Sequence, residues 1–200
     1  MIHRGSACMP EPAALREQAV LPPGVSTLSS RLRLTVPPPR AWVRLQLGPH
    51  EQPAAGALRI AGVPLPARIN RWQGPEPVIS RMAPELWIVQ SAALEPAQLQ
   101  VIVAAACAGR IAAVTDVSDA LVTLALSGAD AAALLARGCC LDLGPIAFPP
   151  DACTRTRCAQ LAVILRRADC DTFELTVDAP AARWLYDWIT DAAVGLDSRE

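Results

Sequence analysis

The sequence predicts an α+β protein made of two duplicated ferredoxin-like β-α-β-β-α units with antiparallel sheets. Apolar and polar residues alternate over short segments, as in half-buried strands. Helical segments with glycine or proline at their ends separate these strands. The same order of elements then occurs a second time, roughly 76 to 86 residues further along the chain. Antiparallel sheets with helices on one face follow from this order.

The first unit is predicted over residues 40–110. The segment AWVRLQL alternates as a strand, and the helix over residues 95–108 begins with an acidic residue and a proline and ends at Gly109. The proline-rich segment between the first helix and the second strand is predicted to be an ordered loop that carries Trp72. The predicted strands are residues 41–47, 78–82 and 85–91, and the predicted helices are residues 53–60 and 95–108.

The second unit is predicted over residues 111–194, with a strand at 111–117 that joins it to the first. Within the repeat, VRLQL matches VTLAL, ELWIVQS matches TFELTVD, and the last helices match each other. A loop containing proline and glycine is predicted over residues 141–156. The other predicted strands are residues 121–126, 158–166 and 172–177, and the predicted helices are residues 129–137 and 180–193.

Residues 1–39 form a proline-rich N-terminal arm in this prediction. Seven prolines lie there, and the triplet Pro37, Pro38 and Pro39 favours a short polyproline II segment. One interpretation is a flexible terminus. The other is an arm that becomes ordered on a partner, and it is favoured by residues 25–36, whose alternation would let them add to a sheet as an edge strand.

The composition excludes several classes of function. A net charge of -1 gives no drive towards nucleic acid. All 18 basic residues are arginine, which excludes a Schiff-base lysine and a P-loop lysine. The seven cysteines contain no C-x-x-C pair and are expected to be small apolar side chains. No signal-peptide core or membrane-spanning run occurs, so a soluble cytoplasmic protein is expected.

The polar residues predict no catalytic, cofactor-binding or metal site. His3 and His50 have no neighbours at ligand or catalytic spacing. Asp116, Ser118 and Asp119 form the most polar corner. Its carboxylate could bind a pterin or an amine at a strand end, or these side chains could simply accept backbone N–H bonds in a turn.

Two tryptophans and two arginines are predicted to lie at a partner interface. Trp42 and Trp72 flank irregular sequence, and exposed tryptophan is typical of binding hot spots. Arg155 and Arg157 alternate with threonines, which predicts either a clamp for a carboxylate or phosphate or the solvent face of a strand. The other three tryptophans lie in periodic elements and are expected in the core; they are Trp87, Trp184 and Trp188.

Several motifs in the second half resemble the gamma subunit of heterotetrameric sarcosine oxidase. The similarity extends from about residue 41 to residue 193, and the motifs are specific in combination. They are a D-x-S-D-A corner at 116–120, an L-S-G-x-x-A step at 126–131, a G-x-x-L-D-L exit at 138–143, a Phe-Pro…Cys-x-x-Thr segment at 148–156, and a P-E-L-W strand at 84–87.

The resemblance implies a small α+β subunit with no catalytic residue and no cofactor of its own. The alpha and beta subunits would be its partners and would oxidise sarcosine, with FAD, FMN, NAD and tetrahydrofolate bound there. More distantly, the second half is similar to the folate-binding domains of aminomethyltransferases. Two alternatives therefore stay open: a folate-binding protein that uses Asp116, and a free-standing module that binds a small ligand between its two halves.

Overall fold

The structure is a computed structural model that describes residues 19–51, 53 and 56–197. It is an α+β fold with antiparallel sheets and few helices, as predicted. The strands are β1 (Gly24–Ser29), β2 (Leu32–Val36), β3 (Ala41–Leu47), β4 (Arg59–Ile60), β5 (Val63–Pro64), β6 (Arg71–Gln73), β7 (Val78–Ala83), β8 (Leu86–Ser91), β9 (Ala112–Asp116), β10 (Leu121–Ser127), β11 (Cys153–Cys158), β12 (Leu161–Asp169) and β13 (Thr172–Asp178). The α-helices are α1 (Pro96–Ala106), α2 (Ala131–Leu135) and α3 (Ala182–Asp197).

Two larger sheets carry the fold. A five-stranded sheet has the order β6-β7-β8-β3-β9, and a six-stranded sheet has the order β1-β2-β10-β13-β12-β11. The strands β9, β3, β8, β7 and β6 of the first sheet thus occupy the places of β2, β10, β13, β12 and β11 in the second. Every ladder among the described residues is antiparallel.

Each sheet has its own apolar core. In the five-stranded sheet, Val43 and Leu45 of β3 pack with Leu99 and Val103 of α1. The alternation in AWVRLQL produces this arrangement, since every second side chain of a strand points to the same face. In the six-stranded sheet, Leu124 and Leu126 of β10 pack with Leu185 and Ile189 of α3, and α2 closes one end of this core.

The predicted helix over residues 53–60 is not present where the structure describes this segment. Residues 56–58 are turn and bend, and β4 and β5 follow as a small hairpin. Ala61 and Gly62 join these strands, both at positive φ, of 47° and 83°. A helix in this short segment is opposed by Gly56 and Gly62 and by the prolines that follow, because glycine and proline are the poorest helix formers.

The predicted boundaries around residues 141–166 were also wrong in part. Residues 153–156, predicted as the end of a loop, belong to β11 (Cys153–Cys158). The predicted strand over residues 158–166 begins with the last residue of β11 and otherwise covers the turn and most of β12. The turn between them consists of Ala159 and Gln160, with φ of 50° and 69°. Tight hairpin turns at positive φ usually contain glycine or asparagine, so this pair gave no turn signal in the sequence.

The N-terminal arm is part of the six-stranded sheet from residue 24 onwards. The predicted edge strand over residues 25–36 is a hairpin in which β1 is the edge and β2 lies between β1 and β10. The strand predicted to link the two units, β9, pairs with β3 of the first sheet. Residues 1–18 of the arm lie outside the described part, and the division of the chain into domains stays a prediction.

Among the described residues, no helix is long and apolar enough to cross a membrane.

Candidate functional site

The two sheets meet edge to edge at β6 and the start of β11. The backbone N–H of Trp72 donates to the carbonyl of Asp151 at 2.9 Å, and the N–H of Cys153 donates to the carbonyl of Asn70 at 3.1 Å. An ion pair between Arg71 and Asp151, with 3.2 Å between Nε and Oδ2, lies on the surface beside these bonds. Backbone hydrogen bonds within the chain therefore join the two sheets at this junction, without a partner or a ligand.

Trp72 uses both its ring and its N–H group inside this junction. The indole Nε1 donates to the carbonyl of Arg167 at 2.9 Å, and the guanidinium carbon of Arg166 lies 4.4 Å from the ring centroid. A cation at this distance from an aromatic face is attracted by the ring quadrupole. The half-buried Trp72 thus anchors one sheet of the chain to the other. Its predicted contact with a partner stays a prediction.

A buried ion cluster lies beside Trp72. Glu174 of β13 is paired across the strands with Arg166 of β12, and Nε and Nη2 of Arg166 lie 3.2 and 2.5 Å from its Oε2. Arg40, in the segment between β2 and β3, approaches from the other sheet, with Nη1 at 3.3 and 3.4 Å from the two carboxylate oxygens. Glu174 and Arg166 are each 8% exposed.

The cluster determines the charge state of Glu174. Burial alone disfavours a charged carboxylate, but the guanidiniums of Arg166 and Arg40 outweigh it and lower the pKa of Glu174 below its ordinary value. Glu174 is therefore an anion at neutral pH. Two guanidiniums face this one carboxylate, so the cluster keeps an unbalanced positive charge.

Gln90 and a cavity complete the junction. With the amide of the buried Gln90 oriented so that its oxygen faces the cluster, it accepts from Nη1 of Arg40 at 3.3 Å and Nη2 of Arg166 at 3.2 Å. A cavity of about 260 Å³ opens here, lined by Arg40, Trp72, Glu76, Gln90 and Arg166 among others. The sequence did not lead to a prediction of this site. The feature that could have indicated it is Glu174, a charged residue in the apolar strand FELTV that lies close in sequence to Arg166 and Arg167.

Trp42 is not the exposed anchor that the sequence predicted. It is 4% exposed, although it belongs to neither of the two apolar cores. It lines a larger cavity, of about 440 Å³, together with the segment 37–39 and residues 118–123. The prediction was therefore wrong on exposure, and the place of Trp42 in a partner interface stays a prediction.

Arg155 and Arg157 are both exposed on β11. Thr154 and Thr156, which alternate with them, are half-buried, as the alternation in the sequence requires. Arg157 Nη2 donates to the carbonyl of Gln160 at 3.3 Å, and no ion pair of Arg155 is found within the described residues. Both guanidiniums are accessible to another molecule, and their place in a partner interface stays a prediction.

The polar corner at Asp116 has the hydrogen bonds of a turn. Oδ1 of Asp116 accepts from the N–H of Ser118 at 3.0 Å and from its Oγ at 2.6 Å. Oγ of Ser118 in turn accepts from the backbone N–H of Trp42 at 2.9 Å. These bonds join β9, a short 3₁₀ helix (Ser118–Ala120) and β3. The turn interpretation accounts for each of them without a ligand.

The other tryptophans divide between core and surface. Trp87 is buried, and Trp188 is half-buried against the core of the six-stranded sheet, as predicted. Trp184 is 49% exposed, so its core assignment was wrong. It follows Arg183 on the solvent side of the first turn of α3, where the apolar stripe formed by Leu185 and Ile189 faces the other way.

The buried thiols are held in their neutral form. Burial raises the pKa of Cys153 to about 11 and that of Cys158 to about 12. A thiol must ionise to act as a nucleophile or a metal ligand, so these two side chains are poorly suited to either role. Within the described part of the chain, no three histidine, cysteine, aspartate or glutamate side chains are placed to hold a metal ion. His3 lies outside that part, and His50 is exposed.

The fold is that of an α+β protein with two antiparallel sheets joined at their edges, and in this chain a buried ion cluster lies at the junction. The profile of the sarcosine oxidase gamma subunit family matches residues 49–195, well over half of the chain. The chain belongs to this family. Among curated proteins, none matches the chain significantly.

Two solved structures show where else this fold occurs. The heterotetrameric sarcosine oxidase from Corynebacterium sp. U-96, in complex with pyrrole 2-carboxylate, contains a chain with a TM-score of 0.75 and 24% identity; the match covers 84% of this chain and 87% of that one. Aminomethyltransferase T of the glycine cleavage system from Bartonella henselae matches with a TM-score of 0.55 and 18% identity, over 75% of this chain and 43% of that one.

Proposed function

We propose that this chain is the non-catalytic structural gamma subunit of a multi-subunit, flavin-dependent sarcosine oxidase. The oxidative demethylation of sarcosine would be carried out by the alpha and beta subunits. The observation that carries the proposal is the family match over residues 49–195. The similar chain in the Corynebacterium enzyme, which is named as a heterotetramer, supports it over nearly the full described length.

In this proposal the cofactors belong to the partners. FAD, FMN, NAD and tetrahydrofolate would be bound by the larger subunits, and none by this chain. The described side chains are consistent with a structural role, because the conspicuous polar groups are engaged with each other. Asp116 holds a turn, Glu174 is paired with two arginines, and Cys153 and Cys158 stay protonated.

The surface offers groups suited to a protein partner. Arg155 and Arg157 project from β11, and Trp184 exposes about half of its side chain on α3. Arginine and tryptophan are the residues most enriched in binding hot spots. We place Arg155 and Arg157 in the contact with the larger subunits.

The proposed fold history is a duplication of ferredoxin-like units. The two sheets have equivalent strand orders, and α1 follows β8 as α3 follows β13. The second unit would then receive β2, and the edge strand β1 beside it, from the N-terminal arm, whereas the first receives β9 from the chain that follows α1. Each sheet therefore needs a strand from outside its own predicted unit boundaries.

A folate-binding, aminomethyltransferase-like protein is the second candidate, favoured by the similar fold of aminomethyltransferase T. This chain spans less than half of that protein, and Asp116 is engaged in turn hydrogen bonds. Calorimetry with tetrahydrofolate separates the two functions. Binding that is lost in Asp116→Ala would favour the second candidate, and no heat would favour the first.

The experiment for the first candidate is co-expression with the alpha and beta subunits encoded in the same host. The proposal expects a stable complex that oxidises sarcosine, while the purified chain alone has no such activity. Sarcosine turnover by the chain alone would overturn its non-catalytic role. Failure to co-purify with the larger subunits would overturn its place in the complex.

A further inference from the structure

The cavity at the sheet junction has an unusual charge pattern. Its inner wall carries the guanidiniums of Arg40 and Arg166, which share the single carboxylate of Glu174. Within the described residues, the hydrogen bonds of the two side chains involve Nη1 of Arg40 and Nε and Nη2 of Arg166, and not Nε or Nη2 of Arg40 or Nη1 of Arg166. Because two guanidiniums share one carboxylate, one positive charge is not balanced and several N–H donors are unused. A second carboxylate could bind to them.

The outer wall has the opposite charge. Glu76 is exposed at the cavity, and its Oε2 accepts from the backbone N–H of Ala92 at 3.1 Å, which fixes the side chain and leaves Oε1 unused among the described residues. A cationic inner wall and an anionic outer wall balance each other in formal charge. This arrangement does not suit a phosphate or another multiply charged anion, and it suits a molecule that carries both charges.

The size of the cavity limits the ligand. Its volume of about 260 Å³ lies below the range of about 300 to 1,000 Å³ that is typical of pockets for drug-sized ligands. Trp72 and Val78 also line the cavity and add apolar surface to it. A molecule of a few heavy atoms, with a carboxylate at one end and an ammonium near it, matches these dimensions and charges.

We propose that this junction cavity binds a small zwitterionic amino acid. The carboxylate would contact Arg40 and Arg166, the ammonium would face Glu76, and the short aliphatic part would lie against Trp72. Such a ligand would join the two sheets, because Arg166 belongs to the six-stranded sheet and Trp72 to the five-stranded sheet. The inference rests on the cavity alone and does not depend on the proposed function.

The test is thermal unfolding of the purified full chain with glycine or N-methylglycine, with all samples brought to the same ionic strength by sodium chloride. A ligand at about ten times its dissociation constant is expected to raise the unfolding midpoint by about 3 to 6 °C. Methylamine, which has only the ammonium, should give no shift. Acetate, which has only the carboxylate, should give a smaller one. An equal shift with acetate would overturn the zwitterion assignment in favour of a plain anion site.

Arg40→Gln is the decisive variant. Its bonds to Glu174 are the long ones of the cluster, and the tighter Arg166 pair stays in place when they are lost. The amino-acid shift should disappear in Arg40→Gln and persist in Arg155→Gln, a control that removes the same charge from exposed β11. A shift that persists in Arg40→Gln, or no shift in the unmodified chain, would overturn the proposal.

Glu76→Gln provides a test that does not touch the buried cluster. Glu76 is exposed, so the variant is expected to fold. The unfolding midpoint of this variant should rise equally with acetate and with glycine, because the variant lacks the carboxylate that recognises the ammonium. An undiminished preference for glycine would contradict the role of Glu76. If amino acids stabilise the chain while the larger subunits do not bind it, this inference stands and the proposed function fails.

Discussion

Arg166 joins Glu174 to Trp72: its guanidinium forms a two-nitrogen ion pair with the carboxylate and lies 4.4 Å from the indole ring. The pair is cross-strand within the six-stranded sheet, while Trp72 comes from the five-stranded sheet. Arg166 thus contributes to holding the two sheets together. The charge of Glu174 keeps that arginine in place, so the stability of the junction depends on a single buried carboxylate.

Glu174→Gln should therefore destabilise the chain strongly. The substitution leaves two guanidiniums without their counter-charge, and breaking a buried pair in this way costs about 3 to 5 kcal/mol of the free energy of unfolding. Denaturant unfolding measures the loss. The matched control is Asp151→Asn, which removes an exposed partner of Arg71 and should cost less than about 1 kcal/mol. Equal effects of the two variants would contradict the importance of the buried cluster.

The same carboxylate predicts a dependence of stability on pH. Because the folded-state pKa of Glu174 lies below the ordinary value for a glutamate side chain, its contribution to stability is present above that ordinary value. The contribution is lost as the pH falls through the folded-state pKa. The difference in unfolding free energy between the unmodified chain and Glu174→Gln should thus be constant near neutrality and shrink as the pH falls below the ordinary pKa of a glutamate and through the lowered folded-state pKa. A difference that grows on acidification would contradict the lowered pKa.

The double variant Arg155→Ala, Arg157→Ala should weaken assembly without affecting folding. Both side chains are exposed, so the free energy of unfolding should change by less than about 0.5 kcal/mol. If they contact the larger subunits, the dissociation constant of the complex should rise about tenfold or more, as expected for hot-spot residues. Arg183→Ala, an exposed change on α3, serves as the control for loss of charge. Unchanged affinity would exclude β11 from the interface.

Asp116→Ala tests whether the polar corner is structural or chemical. The substitution removes two hydrogen bonds that hold Ser118, and an exposed turn of this kind should lose about 1 kcal/mol of stability. Sarcosine oxidation by the assembled complex should be unchanged per complex formed. A loss of activity with normal assembly would instead assign Asp116 a role in the chemistry.

Much of the fold could be predicted because local pattern and tertiary environment agree. The alternation in AWVRLQL and TFELTVD identified β3 and β13, and the proline at the start of α1 identified that helix. The segment around Ala159 and Gln160 was missed because its turn has no glycine or asparagine. The helix over residues 53–60 was wrong because a short apolar segment does not by itself distinguish a helix from a hairpin.

Local sequence patterns could not predict the junction site, for a different reason. Arg40, Trp72, Gln90 and Glu174 are far apart in the chain and meet only because β6 pairs with the start of β11. The burial of Trp42 likewise depends on its tertiary surroundings, where it shares a cavity with the segment 37–39 and with Leu121. The junction site and the burial of Trp42 both depend on tertiary contacts, which the periodicity of the sequence does not predict.

The central claim, that this chain is a structural subunit of a sarcosine-oxidising complex, is tested most directly by reconstitution. Alpha and beta subunits purified without this chain would be mixed with it, and sarcosine oxidation and complex size would be measured together. The claim predicts a single larger complex whose activity is more stable to heating than that of the alpha and beta subunits alone, with no activity in this chain. Sarcosine turnover by this chain alone, or no association with the other subunits, would contradict it.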